Sequence, residues 1–376
     1  MEFKLILKKL NNNLTAEEEQ IFNDWISESE IHQSYFEKVQ ESYLKKSPNL
    51  IDIRKGWERI NSKMNSPKGG FKYWKYAAAA VILALLSLPF IISEQEESTP
   101  QPTINVVDNV IEIGSDKATL TLEDGTKVPL EQGKAYNTQT VSSNGKELVY
   151  KAGANNAETI KYNTLTIPRG GQFYLVLSDD TKVWLNSDSE LRYPVTFAQN
   201  SPRKVELLYG EAYFEVSPST QNNGTHFLVA TQGQEVDVLG TEFNVRAFKE
   251  DSFIETTLVN GKVAIRNGET ISNLTPGYQS TINKESREIN IAKADVRNVI
   301  SWKNGLFSFK NMPLSSIMTV LSRWYDVDVE IVNQKAAKVT FNGVFNRNQD
   351  LENILLIIQN TNEAKLTTKG KTIMVE

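Results

Sequence analysis

The spacing of apolar residues in the first 67 positions is that of short amphipathic helices. Thr15 begins one helix, because Glu18 follows three residues later and the two form a capping box. Apolar residues then recur every three or four positions, which places them on one helix face. The faces predicted to bind a protein partner contain Ile21, Phe22, Trp25, Ile26, Tyr35, Phe36, Val39 and Trp57. A self-sufficient bundle of three or four helices is the alternative.

A run of 17 uncharged residues, 76–92, follows these helices. As a helix the run would be about 26 Å long, and its flanking residues extend it to the roughly 30 Å of a bilayer core. The pattern predicts a single transmembrane helix over residues 73–93, with a buried helix of a soluble domain as the alternative. The anchor positions are Tyr76, Ala80, Leu83, Leu86, Phe90 and Ile92.

The charges beside this run predict its orientation. Lys68, Lys72 and Lys75 precede it, and three glutamates follow it between residues 94 and 97. Because lysine and arginine stay on the cytoplasmic side, we expect the N-terminus inside the cell and the C-terminal part outside. Residues 94–103 are polar and contain proline, which is typical of a linker.

Residues 104–300 alternate between apolar and polar positions, with turn signals every 8–12 residues. Examples of these turns are Asp124-Gly125, Asp179-Asp180 and Asn260-Gly261. The pattern predicts an all-β domain, either a sandwich or a barrel-like stack. Residues 120–130 also resemble residues 175–185, at an offset of 55 positions, which suggests a duplicated hairpin.

Residues 301–376 combine strand and helix patterns in the order βαββαβ, which predicts a small two-layer α/β domain. The predicted fold class is therefore multi-domain. It comprises an all-α N-terminal segment (1–67), a transmembrane helix (73–93), a linker, an all-β domain (104–300) and a C-terminal α/β domain (301–376).

Composition excludes several kinds of chemistry. The 376-residue chain has no cysteine and only two histidines, His32 and His226. Disulfides, thiolate zinc sites and cysteine nucleophiles are thereby ruled out, and we expect neither a cofactor nor a metal site. The net charge of −5 gives no reason to expect direct nucleic-acid binding.

Five motifs stand out in the β-rich part, namely Pro168-Arg169-Gly170-Gly171-Gln172, Asp180-Thr181-Lys182-Val183-Trp184-Leu185-Asn186-Ser187, Leu191-Arg192-Tyr193-Pro194, Gly210-Glu211-Ala212-Tyr213-Phe214-Glu215-Val216 and Val238-Leu239-Gly240-Thr241-Glu242-Phe243-Asn244-Val245. Two further motifs, residues 302–305 and 323–327, follow in the C-terminal part. The order of the first five motifs resembles that of FecR-type anti-sigma factors, and the last two look like the domain that follows in that family.

The resemblance implies a signalling protein of the bacterial inner membrane, crossing it once, that is not an enzyme. Its cytoplasmic helices would sequester an extracytoplasmic-function sigma factor. Its periplasmic part would meet the signalling domain of an outer-membrane TonB-dependent transporter, and the signal would release the sigma factor. The C-terminal domain is similar to the short secretin/TonB N-terminal domain, for which sheet-edge pairing is an expected contact.

The Gly240-Thr241 bond is the one candidate for covalent chemistry, because some members of the family are thought to split themselves in this motif. The threonine hydroxyl would attack the preceding carbonyl, and water would cleave the resulting ester. A bulge glycine followed by an ordinary strand threonine is the alternative.

Two other functions remain open at this point. One is a membrane-anchored periplasmic binding module for glycan or protein, with Trp184, Tyr193 and Tyr213 as an aromatic platform. The other is a structural envelope tether. Neither explains why the chain would carry a helical cytoplasmic segment.

Overall fold

A computed structural model of the protein describes residues 9, 14–28, 33, 36, 111–151 and 160–376. The chain divides into two compact units, Met1–Thr103 and Ile104–Glu376. The first unit contains helix α1, Ala16–Glu28. Its capping box forms as predicted, since the Glu18 amide donates to Thr15 Oγ1 at 3.3 Å and the Thr15 amide donates to Glu18 Oε2 at 3.2 Å.

The second unit begins with eighteen strands joined in one hydrogen-bonded network. In chain order they are β1 (Ser115–Thr121), β2 (Lys127–Glu131), β3 (Tyr136–Asn137), β4 (Val141–Ser143), β5 (Glu147–Tyr150), β6 (Tyr162–Ile167), β7 (Gly171–Val176), β8 (Lys182–Leu185), β9 (Ser189–Pro194), β10 (Arg203–Glu215), β11 (Phe227–Thr231), β12 (Gln234–Val238), β13 (Glu242–Ala247), β14 (Phe253–Asn260), β15 (Val263–Asn267), β16 (Thr270–Leu274), β17 (Tyr278–Asn283) and β18 (Ile289–Lys293).

These strands form two layers. The first sheet has the order β2-β1-β6-β9-β10-β11-β12-β15-β16. The second has the order β3-β4-β5-β7-β8-β10-β13-β14-β17-β18. The predicted turns at residues 124–125 and 179–180 each join two neighbouring strands of one sheet, whereas residues 260–261 lead from β14 of the second sheet to β15 of the first.

Strand β10 belongs to both sheets, and Gly210 is the point where it changes from one to the other. Residues 203–209 pair with β9 and β11, whereas residues 210–215 pair with β8 and β13. Gly210 has a φ of +99°, and a Cβ there would lie 2.4 Å from the Cα of Ser189. Only glycine fits this bend.

Apolar side chains from both layers form one core. Phe214 stacks on Phe243 with 5.1 Å between ring centres, and Phe227 of the first sheet lies 6.3 Å from Phe214. An ion pair is buried at the edge of this core, where Arg203 donates to Asp179 Oδ2 at 2.7 Å. Removing one member of such a pair typically costs about 3–5 kcal/mol, because the other charge stays buried.

The chain then continues into a helix-containing region with its own core. Its elements are helix α2 (Val296–Val299), a 3₁₀ turn (Ser301–Asn304), β19 (Leu306–Pro313), helix α3 (Leu314–Tyr325), β20 (Asp328–Ile331), a 3₁₀ turn (Ala336–Lys338), β21 (Thr340–Asn346), helix α4 (Leu351–Gln359), β22 (Leu366–Lys369) and β23 (Thr372–Val375). β19 pairs with β21, and a separate sheet has the order β20-β23-β22.

The predicted fold class is wrong. The prediction included an all-α segment and a transmembrane helix, whereas the described part of the chain is mostly β. Its helices are few and short, and α1 has 13 residues. Apolar periodicity identifies a helix, but how far the helix extends depends on packing that periodicity does not report. The C-terminal strands form two separate sheets, because β20 pairs with β23 and not with β19 or β21.

The predicted anchor, residues 73–93, lies outside the described residues, and so does the linker at residues 94–103. Among the residues that the structure does describe, no helix is both long enough and apolar enough to span a membrane.

Candidate functional site

The predicted partner-binding face of the N-terminal unit is partly described. Phe22 is buried and packs against Leu14, Trp25, Ile26 and Phe36. The rings of Phe22 and Phe36 meet edge to face, with centres 5.1 Å apart. Ile21 lies in α1, and Tyr35, Val39 and Trp57 fall outside the described residues. The structure therefore brings four of the eight predicted residues into one cluster, in which Trp25 and Ile26 are half-buried.

The Gly240-Thr241 bond lies between β12 and β13. Gly240 is exposed and has a φ of +150°, and a Cβ there would lie 3.0 Å from Pro218 Cα. Thr241 is buried, and its hydroxyl donates to the Lys262 carbonyl at 2.9 Å. The structure thus places a glycine-only backbone conformation directly before a buried threonine hydroxyl.

The three aromatic residues considered as a glycan platform do not form one. Tyr193 is fully buried and its hydroxyl lies 3.1 Å from that of Tyr150, and burial raises the pKa of Tyr193. Trp184 and Tyr213 do lie side by side on the second sheet. The Lys303 ammonium covers both, 3.9 Å and 4.0 Å from the ring centres. This cation–π contact occupies the surface that a sugar would need.

Lys303 belongs to a larger contact between the second sheet and the region that follows it. At its centre, Glu211 accepts hydrogen bonds from the Asn186 amide at 2.8 Å and from the Asn244 amide at 3.0 Å. Asn244 in turn accepts a hydrogen bond from the Trp302 indole at 3.2 Å. The 3₁₀ turn Ser301–Asn304 is therefore attached to the sheet by a buried polar network.

Arg347, directly after β21, completes this network. Its guanidinium donates to Asn186 Oδ1 at 2.9 Å and to the Trp302 carbonyl at 3.2 Å, and it stacks on Trp324 with Cζ 3.6 Å from the ring centre. Arg347 is only 3% exposed. Burial lowers the pKa of Arg347, and the Glu211 carboxylate acts in the opposite direction. The buried positive charge depends on Glu211 for compensation.

A second group of contacts joins the end of α3 to the loops of the sheets. Gly170 donates its amide to the Arg323 carbonyl at 2.7 Å, and Arg169 donates to the Ser322 carbonyl at 3.0 Å. Arg323 bonds Glu250 at 3.1 Å through Nε and stacks over Phe248 at 3.6 Å. Burial acts to raise the pKa of Glu250, but the hydrogen bond and charge of Arg323, a backbone hydrogen bond and the charge of Arg246 together outweigh it, so the pKa falls.

Six of the sequence motifs on which the family resemblance rests contribute a residue to this contact. These residues are Arg169, Asn186, Glu211 and Asn244 from the β-rich part, and Trp302 and Arg323 from the region that follows. Sequence reasoning did not assign them this role, and it missed Arg347 entirely. Nothing in the neighbourhood of Arg347 along the chain distinguishes it from an exposed arginine.

No metal site was predicted. In residues 111–151, 160–376 and the described part of the N-terminal unit, no group of three or more histidine, aspartate or glutamate side chains could hold a metal ion.

Comparison with known proteins identifies two family domains in the chain. The family model described as FecR protein matches residues 163–264, and the one described as FecR, C-terminal, matches residues 306–375. The chain therefore contains a FecR domain within the double-layered β-network, followed by a FecR C-terminal domain that begins at β19. No curated protein matches the chain.

Solved structures agree with these matches. Two crystal structures of a candidate anti-sigma factor from Parabacteroides distasonis ATCC 8503, at 1.65 Å and 2.50 Å resolution, are similar to this chain. Each has 29% sequence identity and a TM-score of 0.51, and the match covers 57% of this chain and 98% of the other. The two family domains and the solved candidate anti-sigma factor make this chain similar to FecR-type anti-sigma factors, and they support a regulatory role in signal transduction.

Replacing Arg347 by methionine tests the contact between the two domains. The variant leaves Asn186 Oδ1 and the Trp302 carbonyl without their donor and Glu211 without its compensating charge. We expect a loss of about 2–4 kcal/mol in the free energy of unfolding, measured by urea titration of the full chain. Lys371→Met is the control, because Lys371 and its partner Asp326 are exposed, and it should cost less than about 1 kcal/mol. Equal losses in the two variants would contradict a stabilising role of the network.

Proposed function

We propose that the protein sequesters an extracytoplasmic-function sigma factor and releases it on a signal from an outer-membrane TonB-dependent transporter. The observation that supports this proposal most is the combination of a FecR domain and a FecR C-terminal domain packed into one unit, together with the solved candidate anti-sigma factor that shares the fold. The sigma factor would bind the N-terminal unit through helix α1.

The cluster around Phe22 supports that assignment. Among the described residues of the N-terminal unit, the cluster consists of one buried phenylalanine and four half-buried apolar neighbours. Such a helix commonly completes its packing against an apolar groove or helix of a partner. Trp25 and Ile26, on the half-buried margin of this cluster, are the residues of α1 that we assign to the sigma-factor contact.

The sheet edges of the FecR C-terminal domain support the assignment of the transporter contact. In the sheet β20-β23-β22 the two outer strands each pair on one side only. Val332, just beyond β20, is 57% exposed. An edge strand with an exposed apolar residue can accept a further strand from a partner.

The location of the protein is part of the same proposal. We assign residues 1–67 to the cytoplasm and the FecR domains to the periplasm, at the bacterial inner membrane. The uncharged run at residues 76–92 and the lysines before it support this assignment. The alternative, a periplasmic glycan-binding module, loses its aromatic platform to Lys303 and to the burial of Tyr193.

A charge on the partner-facing margin of α1 tests the sigma-factor contact. We expect Ile26→Asp to lower co-purification of the sigma factor with the full chain about tenfold, because a half-buried apolar position would then hold a carboxylate. A reporter under that sigma factor should rise in parallel. Asn23→Asp, on the exposed side of the same helix, is the matched control and should change neither readout. In this experiment each extracytoplasmic-function sigma factor of the source bacterium is co-expressed with the chain. If none of them forms a stable complex with it, the proposal is wrong.

Self-cleavage between Gly240 and Thr241 is a second activity that we propose. Thr241 Oγ1 would attack the Gly240 carbonyl carbon, the C–N bond would break as the amine takes up a proton, and water would hydrolyse the ester. Two chains result, residues 1–240 and 241–376. The φ of +150° at Gly240 and the buried hydroxyl of Thr241 support the proposal.

Intact mass measurement of the purified chain tests this reaction. The wild type should yield both fragments, Thr241→Ala should remain intact because it has no nucleophile, and Thr241→Ser should still be cleaved. If the wild type and Thr241→Ala are both recovered as single uncleaved chains, Gly240-Thr241 is an ordinary strand connection.

A further inference from the structure

The first described residues of the second unit contact its last domain. Ile111 and Ile113 are half-buried and pack against the apolar core of the FecR C-terminal domain, although the FecR domain is the next one along the chain. The clustered buried side chains from Ala118 to Ile282 belong instead to the core of the FecR domain. We name residues 111–114 the strap.

Gly114 is the position at which the strap leaves the FecR C-terminal domain. Its backbone lies directly against the indole of Trp324 in α3, so that a Cβ at Gly114 would be only 2.5 Å from the ring. The φ of Gly114 is not in the left-handed region, so an alanine could adopt the same backbone conformation. It is therefore the close approach to Trp324 that requires glycine here.

The residues directly after Gly114 are attached to the FecR domain. The Ser115 amide donates to the Gly170 carbonyl at 3.0 Å. The Gln172 side chain donates to Asp116 Oδ1 at 3.0 Å. Ser115 and Asp116 also take part in the parallel pairing between β1 and β7. The chain is thus attached to one domain before Gly114 and to the other domain after it.

Because the covalent chain is continuous, the two domains can separate only if one of these two attachments breaks. The attachment of β1 consists of backbone hydrogen bonds within a sheet, and β1 pairs with β2 and β6 as well as with β7. The strap is held by two half-buried isoleucines, whose burial favours the bound state on the order of 10- to 100-fold. The strap is therefore the attachment that breaks.

We propose that the FecR C-terminal domain holds the strap, residues 111–114, and that the strap comes free when this domain moves away from the FecR domain. Release of the strap and separation of the domains favour each other, because each removes contacts that oppose the other. A partner that displaces the FecR C-terminal domain therefore also changes the segment through which the chain enters the second unit. This inference concerns the second unit alone and does not depend on the sigma-factor contact.

Thiol labelling of the full chain tests whether the strap is held. The chain has no cysteine, so Ile113→Cys introduces a single reactive thiol. We expect a maleimide to react with this thiol about fivefold more slowly than with that of Thr270→Cys, at an exposed position of β16. Gly114→Ala should remove most of this protection, because its methyl group overlaps the Trp324 ring, and should leave the labelling of Thr270→Cys unchanged. Equal labelling of Ile113→Cys and Thr270→Cys in the otherwise unchanged chain would overturn the proposal.

Glu211→Gln tests the coupling between the strap and the domain contact. It removes the charge that compensates Arg347, and Glu211 belongs to the buried network and not to the strap. In this background Ile113→Cys should react about threefold faster, because the domains separate more often. Glu206→Gln is the matched control on the same strand, since Glu206 is exposed and pairs with Arg192 in the first sheet, and it should leave the rate unchanged. Unchanged labelling in Glu211→Gln would show that the strap is a fixed part of the C-terminal core and would reject the coupling.

The reverse effect decides the matter if Glu211→Gln does not fold. The Gly170 amide donates to the Arg323 carbonyl across the domain contact. In Gly114→Ala the strap is displaced, so the Gly170 amide should exchange with solvent severalfold faster than in the wild type. Exchange at the wild-type rate, in a variant whose strap thiol is fully labelled, would contradict the proposed coupling.

Discussion

The arrangement of the second unit depends on two buried opposite charges, Arg347 and Glu211, that are linked through an amide and not by a direct contact. Arg347 is held by Asn186 and the Trp302 carbonyl, and Glu211 is held by Asn186 and Asn244. Asn186 connects the two ions, accepting from one and donating to the other. Neither ion could stay buried in the absence of this amide and of the opposite charge. The FecR domain and the FecR C-terminal domain are therefore joined by a network that requires both of them.

A polar contact of this kind has consequences for signalling. Apolar cores of separate domains rarely come apart once packed, whereas polar interfaces between domains allow relative motion. Here each domain has its own apolar core, and the contact between them consists mainly of amides, guanidinium groups, carboxylates and a lysine over aromatic rings. A partner that binds the FecR C-terminal domain could thus act on the contact without unfolding either core.

Local features of the structure were predictable from the sequence to the extent that they depend on neighbouring residues. The capping box at Thr15 and the hairpin turn at Asp124-Gly125 have short-range causes, and both occur. The related turn at residues 179–180 has the same hydrogen bond, Thr181 amide to Asp179 Oδ1 at 3.1 Å, which explains the repeat. Long-range features were not predictable, because they depend on residues 20 or more positions away that no periodic pattern indicates. Examples are the bend of β10 at Gly210, the pairing of Asp179 with Arg203 and the burial of Arg347.

Amide hydrogen exchange in the full chain is the most direct test of the claim that the two domains form one unit through this network. The Gly170 amide of the FecR domain donates to the Arg323 carbonyl of the FecR C-terminal domain at 2.7 Å. This hydrogen bond crosses the contact, so the Gly170 amide should exchange as slowly as the amides of β10. Exchange as fast as that of the exposed turn at Gly268 would show that the contact is open in solution and would contradict the account.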